Sequence, residues 1–391
     1  MNVLFLLGAG ISRDVLPLSA RLTDIVLSAH AGGDSPWVVF RHSDAMYYFG
    51  HSIPPGTEQK WLHRSVEFLR WLRAADSSSD YEALYFACQQ IHDHLTGEYE
   101  NPLLVPFIAQ CAAQLDWLWR DELGTEGEWR DARLPSAKLA ELTREAMNYI
   151  DGVVRWTLDQ TADLRDLDPR FHAALLDACR DKEVRRVDVV TLNHDTLLER
   201  VFARAAMPFE DGFTLDRRGA SLWHRFEWKR AEKVRLVKLH GSIDWWRFRP
   251  RGPADRIIRG MAGDNLSWNS LERRPVVLVG TFNKMLDYLR APHIEHLAVF
   301  RRALLRCSSV VVAGYSFRDK GVNGLLIGTD RRNRRIVVID PSVTASEPPS
   351  TARPAISRAW GRWLTEGRLV PVRSRFSDTN WPDLKVQLQG H

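Results

Sequence analysis

The chain begins with an unbroken apolar run, Val3–Leu7, that stops at Gly8-Ala9-Gly10 and continues into Ser12. A short apolar run with a glycine stop reads as a buried strand, a tight turn and the first turn of a helix. A helix-like run follows from Ala20 to Ala31. The next segment, Ala31 to Gly56, carries Gly32, Gly33, Pro36, Pro54 and Pro55 and reads as a boundary or loop. From about Thr57 to Arg180 the apolar period is helical. Trp61, Leu62, Val66, Phe68, Leu69 and Leu72 form one stripe; Leu139, Leu142, Ala146, Tyr149, Ile150, Val153 and Val154 form another, with Trp117 and Trp119 between them.

Near residue 187 the pattern changes to short β-branched runs. Val187–Val190 leads into Thr191-Leu192-Asn193-His194-Asp195, Val234–Leu239 into His240-Gly241-Ser242, and Val276–Val279 into Gly280-Thr281. Val310–Ala313 leads into Gly314-Tyr315-Ser316, and Ile336–Ile339 into Asp340-Pro341-Ser342. Continuous apolar runs are the mark of parallel strands buried on both faces. Ligands of open α/β sheets bind outside the carboxyl ends of such strands, so every polar tip is expected on one rim. The fold class expected is α/β: a Rossmann-like parallel sheet flanked by helices, with a large all-helical insertion. Residues 1–30 and 181–391 would make the Rossmann-like domain and 31–180 the insertion. The insertion reads as a helical subdomain with a tryptophan-rich core, with a lid or a subunit interface as the other roles open to it.

With 391 residues, 45% of them hydrophobic and 26% charged, the chain can bury a large core. A net charge of +5 is small for this length and is no nucleic-acid footprint by itself. Cys88, Cys111, Cys179 and Cys307 lie far apart, with neither zinc spacing nor a disulfide framework, as expected for reduced, buried thiols of a cytoplasmic protein. No apolar run approaches a membrane span, and the first one ends in a glycine turn rather than a cleavage site.

The glycine turn suits a diphosphate, since glycines allow close backbone approach and a helix N-terminus offers unpaired N–H groups. A full dinucleotide fingerprint would put a third glycine where this chain has Arg13. Asn193 and Asp195 can project together from a strand end, or they can cap the helix that Thr196-Leu197-Leu198 begins. His240 is placed as an acid or base at a strand end, or is a satisfied structural histidine. His92-Asp93-His94 lies in a helical stretch where positions two apart do not share a face, and reads as solvated surface. Asn283 and Lys284, after the Val279-Gly280 strand end, are secondary site candidates that read first as loop surface. Trp245-Trp246-Arg247-Phe248-Arg249 is open to a nucleic-acid stacking reading or to aromatic packing. The run Arg331-Arg332-Asn333-Arg334-Arg335 reads as a solvated turn, or as a partner or nucleic-acid contact.

Gly8-Ala9-Gly10-Ile11-Ser12, Thr191-Leu192-Asn193-His194-Asp195, Lys238-Leu239-His240-Gly241-Ser242 and Gly314-Tyr315-Ser316-Phe317 resemble, in the same order, the landmarks of the sirtuin-like family. Those landmarks are a GAGIS turn, a TxNxD loop, a histidine–glycine pair and a late glycine–serine loop. The resemblance covers about Asn2 to Ala29 and Val187 to Ser342. Sirtuin deacylases carry a four-cysteine zinc module after the histidine, whereas His240 to Gly314 holds only Cys307. The chain is in that respect more similar to the bacterial sirtuin-like NAD hydrolases of antiphage defence, which carry helical insertions.

That resemblance implies NAD as substrate, cleaved to nicotinamide and ADP-ribose, with no metal. It implies catalytic roles for Asn193, His240 and Asp195. It also implies NAD contacts from Gly8, Ala9, Gly10, Ser12 and Thr191, with Gly314, Ser316 and Asp340 on the adenosine side. A homo-oligomer is implied, with a HerA-type ATPase or another phage-sensing protein as partner. Two other classes stay open: a regulator that binds NAD or ADP-ribose without turnover, and a protein deacylase or ADP-ribosyltransferase.

Overall fold

The computed structural model describes residues 1–28, 57–98, 101–119, 134–160, 169–215, 221–223, 233–248, 256–259, 270–277 and 289–390. The segment 31–56, the Gly280-Thr281 tip, and Asn283 and Lys284 lie outside these described residues. The chain divides into two units, one built from Met1–Leu18, Leu158–Leu278 and Met285–His391, the other including Ser19–Thr157.

The second unit is helical: α1 (Ser19–Ser28), α2 (Thr57–Ala75), α3 (Tyr81–Thr96), α4 (Val105–Trp119) and most of α5 (Leu134–Gln160). The stripes expected from the sequence face inward, Leu62 to Leu72 on α2 and Leu139 to Val154 on α5 all being buried. Asp80 starts α3 by accepting the Ala83 N–H at 3.1 Å. Polar ties join the elements: the Tyr149 hydroxyl donates to the Val26 carbonyl at 2.8 Å and the Tyr81 N–H to the Thr23 hydroxyl at 2.9 Å. His92 and His94 are half-buried rather than solvated, because Nδ1 of His92 bonds the Ala140 carbonyl and Nδ1 of His94 accepts the Asn101 N–H.

The first unit holds a six-stranded parallel sheet. It contains β1 (Asn2–Leu7), β2 (Arg186–Thr191), β5 (Val234–Lys238), β9 (Ser309–Ala313), β10 (Arg335–Ile339) and β11 (Leu369–Val372), in the order β11-β10-β9-β1-β2-β5. Alternate residues of each strand serve opposite faces. Leu4, Leu6, Val190, Val237, Val310, Val312, Ile336 and Val338 pack under α8 (His293–Arg306), α9 (Lys320–Gly328) and α10 (Pro354–Thr365). Val3, Phe5, Leu7, Val187, Val189, Leu236, Val311 and Ile339 pack under α6 (Ala173–Arg180), α7 (Leu197–Arg204) and α11 (Trp381–Gln389). Two covered faces explain why these strands are predominantly apolar, and the Rossmann-like α/β fold follows.

One expected strand belongs elsewhere. Val276 and Val277 end β8 (Ser270–Val277), which pairs antiparallel with β6 (Gly241–Phe248) in a separate five-stranded sheet ordered β3-β4-β7-β6-β8. The other members are β3 (Phe213–Leu215), β4 (Ser221–Trp223) and β7 (Arg256–Arg259). The sixth parallel strand is instead β11, whose Pro371 is tolerated because β11 is an edge strand.

Candidate active site at the strand carboxyl ends

From β1 the chain adds β2 and β5 on one side, then returns to add β9, β10 and β11 on the other. The strand order therefore reverses between β1 and β9. Open α/β sheets bind ligands in the crevice outside the strand ends at such a reversal.

Gly8, Gly10 and Gly314 stand at that point. The Gly8 N–H donates to the Ala313 carbonyl and the Gly10 N–H to the Gly314 carbonyl, each at 3.0 Å. A Cβ on Gly8 would lie 2.5 Å from the Gly314 oxygen, and one on Gly10 2.7 Å from the Gly314 Cα. The three glycines thus let two backbones touch. The helix expected directly after the turn is absent, and Ala9–Ser12 is a single 3-10 turn. Pro17 offers no N–H and restricts Leu16, so α1 starts only at Ser19, in the other unit. No α-helix N-terminus follows the turn directly, and the N–H groups of Gly8, Gly10 and Ile11 already donate to the carbonyls of Ala313, Gly314 and Gly8.

A cleft of about 200 Å³ opens beside these glycines, lined among others by Gly10, Arg13, Gly314, Asp340, Ser342 and Arg375. Asp340 is fixed there by accepting the Ser342 N–H at 2.8 Å and the Ser342 hydroxyl at 2.6 Å. Ser316 is exposed; its carbonyl accepts the Thr351 hydroxyl, and neither it nor exposed Ala9 lines the cleft.

One strand over, Thr191 ends β2 and its hydroxyl accepts the Asn193 N–H at 3.1 Å. The Asn193 side-chain amide donates to the Ser12 hydroxyl at 3.4 Å, so Ser12, Thr191 and Asn193 form one buried cluster. Oδ1 of Asp195 accepts the Leu197 N–H at 2.9 Å, two residues on, in the turn that leads into α7. Burial pushes its carboxyl above the usual range, against the pull of nearby Lys238. The Lys238 ammonium, itself buried, donates to the Asp195 carbonyl oxygen, to Oε1 of Glu199 at 2.8 Å and to the Ser242 hydroxyl at 2.8 Å.

His240 follows β5. Its Nε2 lies 3.1 Å from Oδ2 of Asp319, with both side chains under 10% exposed, and its ring centroid is 6.0 Å from that of His194. Two buried histidines of α8 hold the backbone leading to it. Nδ1 of His296 bonds the Lys238 carbonyl at 2.8 Å and Nδ1 of His293 the Leu239 carbonyl at 3.2 Å. Burial drives both rings toward the neutral form, His296 down to about 4 and His293 to about 3. Gly241, at φ +80°, carries the chain into β6 where a Cβ would meet the Val276 carbonyl oxygen at 1.9 Å.

The structure therefore gathers Ser12, Thr191 and Asn193 in one cluster and Gly10, Gly314 and Asp340 around one cleft, with His240 on the adjacent strand end. Asp319 was not visible to sequence reasoning. Its one sequence signal is that of a helix cap before Val322, and the facing histidine lies 79 positions away. The tryptophan run resolves into packing: Trp245 and Trp246 are buried, and Trp245 joins Ile257 and Val276 in a small core. In the arginine run, Arg331 and Arg332 are exposed while Arg334 is buried with its guanidinium on the Leu304 carbonyl. All four cysteines are buried free thiols. Among the described residues no group of three His, Cys, Asp or Glu is placed to hold a metal ion, and no helix is long and apolar enough to cross a membrane.

Residues 187–363 match the family model described as a SIR2-like domain. No curated protein matches the sequence. Among solved structures, a mutant Sir2 homologue in complex with ADP-ribose aligns at 13% identity over 94% of this chain and 92% of that one, with a TM-score of 0.35. A mutant Sir2 homologue with 2'-O-acetyl ADP-ribose aligns at 12% identity over 99% and 89%, with a TM-score of 0.35. A Sir2 enzyme bound to a propionylated peptide aligns at 14% identity over 94% and 93%, with a TM-score of 0.29. The matched segment, similar to the SIR2-like domain, carries β2, β5, β9 and β10 with Asn193, His240, Gly314 and Asp340.

Proposed function

We propose that the chain is an NAD hydrolase that cleaves the bond between nicotinamide and ribose, releasing nicotinamide and ADP-ribose. The observation that carries this reading is the juxtaposition of Asn193 with Ser12 at the end of the glycine turn, next to a buried His240–Asp319 pair. The SIR2-like match over the segment bearing Asn193 and His240 supports it. The cleft at the strand reversal suits an extended dinucleotide: Gly10 removes side-chain bulk, Arg13 and Arg375 offer charge to a diphosphate, and Asp340 offers an acceptor to a ribose hydroxyl.

Nicotinamide leaves with the bonding electron pair, which neutralises its ring nitrogen, and the ribose carbon becomes electron-poor. Asn193 orients the water or ribose hydroxyl at that carbon, and His240 accepts the proton lost as the new C–O bond forms. That proton then passes to solvent. Asp195 supports the loop through its bond to the Leu197 N–H, while Gly8, Ala9, Ser12 and Thr191 shape the turn on the diphosphate side and Gly314 and Ser316 the adenosine side.

In the cell this activity belongs to an effector of bacterial antiphage defence, a homo-oligomer in the cytoplasm kept latent until a HerA-type ATPase or another phage-sensing protein engages it. The resemblance to that group and the single cysteine between His240 and Gly314 support this extension. Chromatography of NAD incubated with wild type, Asn193→Ala and His240→Ala, with and without a candidate partner, tests the reading. Nicotinamide and ADP-ribose from wild type, reduced at least ~100-fold in both variants, are expected. Intact NAD with binding retained points to a regulator, and nicotinamide release only with an acylated peptide points to a deacylase.

A further inference from the structure

We infer that Asp319 is a positioning residue for His240: its carboxylate holds the Nε2–H, fixes that tautomer and stabilises the imidazolium when the ring takes a proton. The inference rests on the hydrolase reading for its catalytic consequence, but its geometry is independent of it. Oδ1 of Asp319 already satisfies the helix, accepting the Val322 N–H at 2.9 Å as the cap of α9. Oδ2 is left to face His240 Nε2 at 3.1 Å, with side-chain exposures of 9% for Asp319 and 6% for His240. An ionised carboxylate can only accept, so the proton of this bond sits on Nε2.

The loop that presents Asp319 is braced. The Tyr315 hydroxyl contacts the Asp319 carbonyl at 3.3 Å and Oδ1 of Asn323 at 2.9 Å, and the Asn323 amide donates to the Phe317 carbonyl at 2.7 Å. These bonds hold the carboxylate while Phe317 keeps a left-handed backbone at φ +54°. Capping alone does not explain a buried carboxylate here, because asparagine or serine caps as well. Only the acid supplies negative charge to the ring. Among the described residues His194, from the loop after β2, and His293 of α8, whose charged form His240 disfavours, also face His240, and neither brings negative charge to the ring.

Asp319→Asn separates the two roles, since it keeps the cap and removes the charge. In the full chain it is expected to leave thermal unfolding and NAD KM near wild type. It should lower kcat on the order of 10²- to 10⁴-fold, the range lost when an orienting acid is replaced by its amide. The acid limb of the pH–rate profile should move to lower pH, on the order of one pH unit. Asp319→Ser, a second capping residue without charge, should behave alike and covers the case in which the first variant misfolds. Wild-type kcat and an unmoved profile in both variants, with His240→Ala inactive, would overturn the inference. Titration of the 15N-labelled His240 ring by NMR reads the same question without turnover. A wild-type Nε2–H tautomer and a downward shift in Asp319→Asn sustain the inference even if NAD is never cleaved, which would sink the hydrolase reading alone. An unchanged ring titration overturns it.

Discussion

At Gly314 the ends of β1 and β9 meet with no side chain between them. A Cβ there would stand 2.4 Å from the Ile11 amide nitrogen, and the residue's φ is +59°. Left-handed backbone alone costs an L-residue about 1–2 kcal/mol, and the backbone collision adds to it. Gly314→Ala is therefore expected to lower stability by at least ~1–2 kcal/mol in chemical denaturation and to weaken NAD binding, read by calorimetry. A variant as stable as wild type would mean that the turn can shift without cost. Asn193 and His240 were legible because they follow apolar runs at strand ends. The sequence left two roles open for Asp195, and its bond to the Leu197 N–H ties the carboxylate into the turn before α7. Asp319 was hidden for a different reason: its partner is brought to it by the return of the chain to β9, and nothing local encodes that meeting.

Among the elements, β2 and β5 share a buried ion pair. Asp188 and Arg235 are register partners on these strands, the guanidinium donating to Oδ1 at 2.8 Å, with side-chain exposures of 4% and 9%. Breaking such a pair strands a buried charge at a cost of about 3–5 kcal/mol, whereas replacing both members by apolar residues is often nearly neutral. Arg235→Leu is expected to destabilise by that amount in a urea titration, and Asp188→Leu/Arg235→Leu to recover most of it. A double variant no better than the single one would show that the cost comes from lost packing. Five strands of the parallel sheet could be read from their runs of β-branched and other apolar residues because both faces of the sheet are covered, with Asp188 and Arg235 as charged exceptions that pair with each other. β11 escaped notice, being four residues long with Pro371 inside it. The antiparallel sheet escaped as a whole: β3 and β4 have three residues each, too few to show an alternation. Its strand β8 was assigned to the wrong sheet because its last two valines resemble the end of a parallel run.

For the whole molecule, three buried histidines set a pH dependence. Burial holds His172 and His296 down to about 4 and His293 to about 3. In the unfolded chain each titrates near 6.5, so between about pH 4 and 6.5 the unfolded state binds more protons and stability falls as pH falls. Asp195 and Glu199, raised by burial, act in the opposite sense below neutrality, so the clean reading is a comparison of variants. The stability lost between pH 7 and pH 5 should be about 2 kcal/mol smaller in His296→Gln than in wild type. Equal losses would show that His296 can charge inside the fold. The strand order carries one more consequence, for the growing polypeptide. β1 is made first but pairs on one side with residues 186–191 and on the other with 309–313. At ~5–20 residues per second a ribosome needs about 15–60 s to deliver the second neighbour. Over that interval Val3–Leu7, wholly apolar, has at most one flank paired, and this strand stays the exposed edge of the growing sheet until β9 arrives.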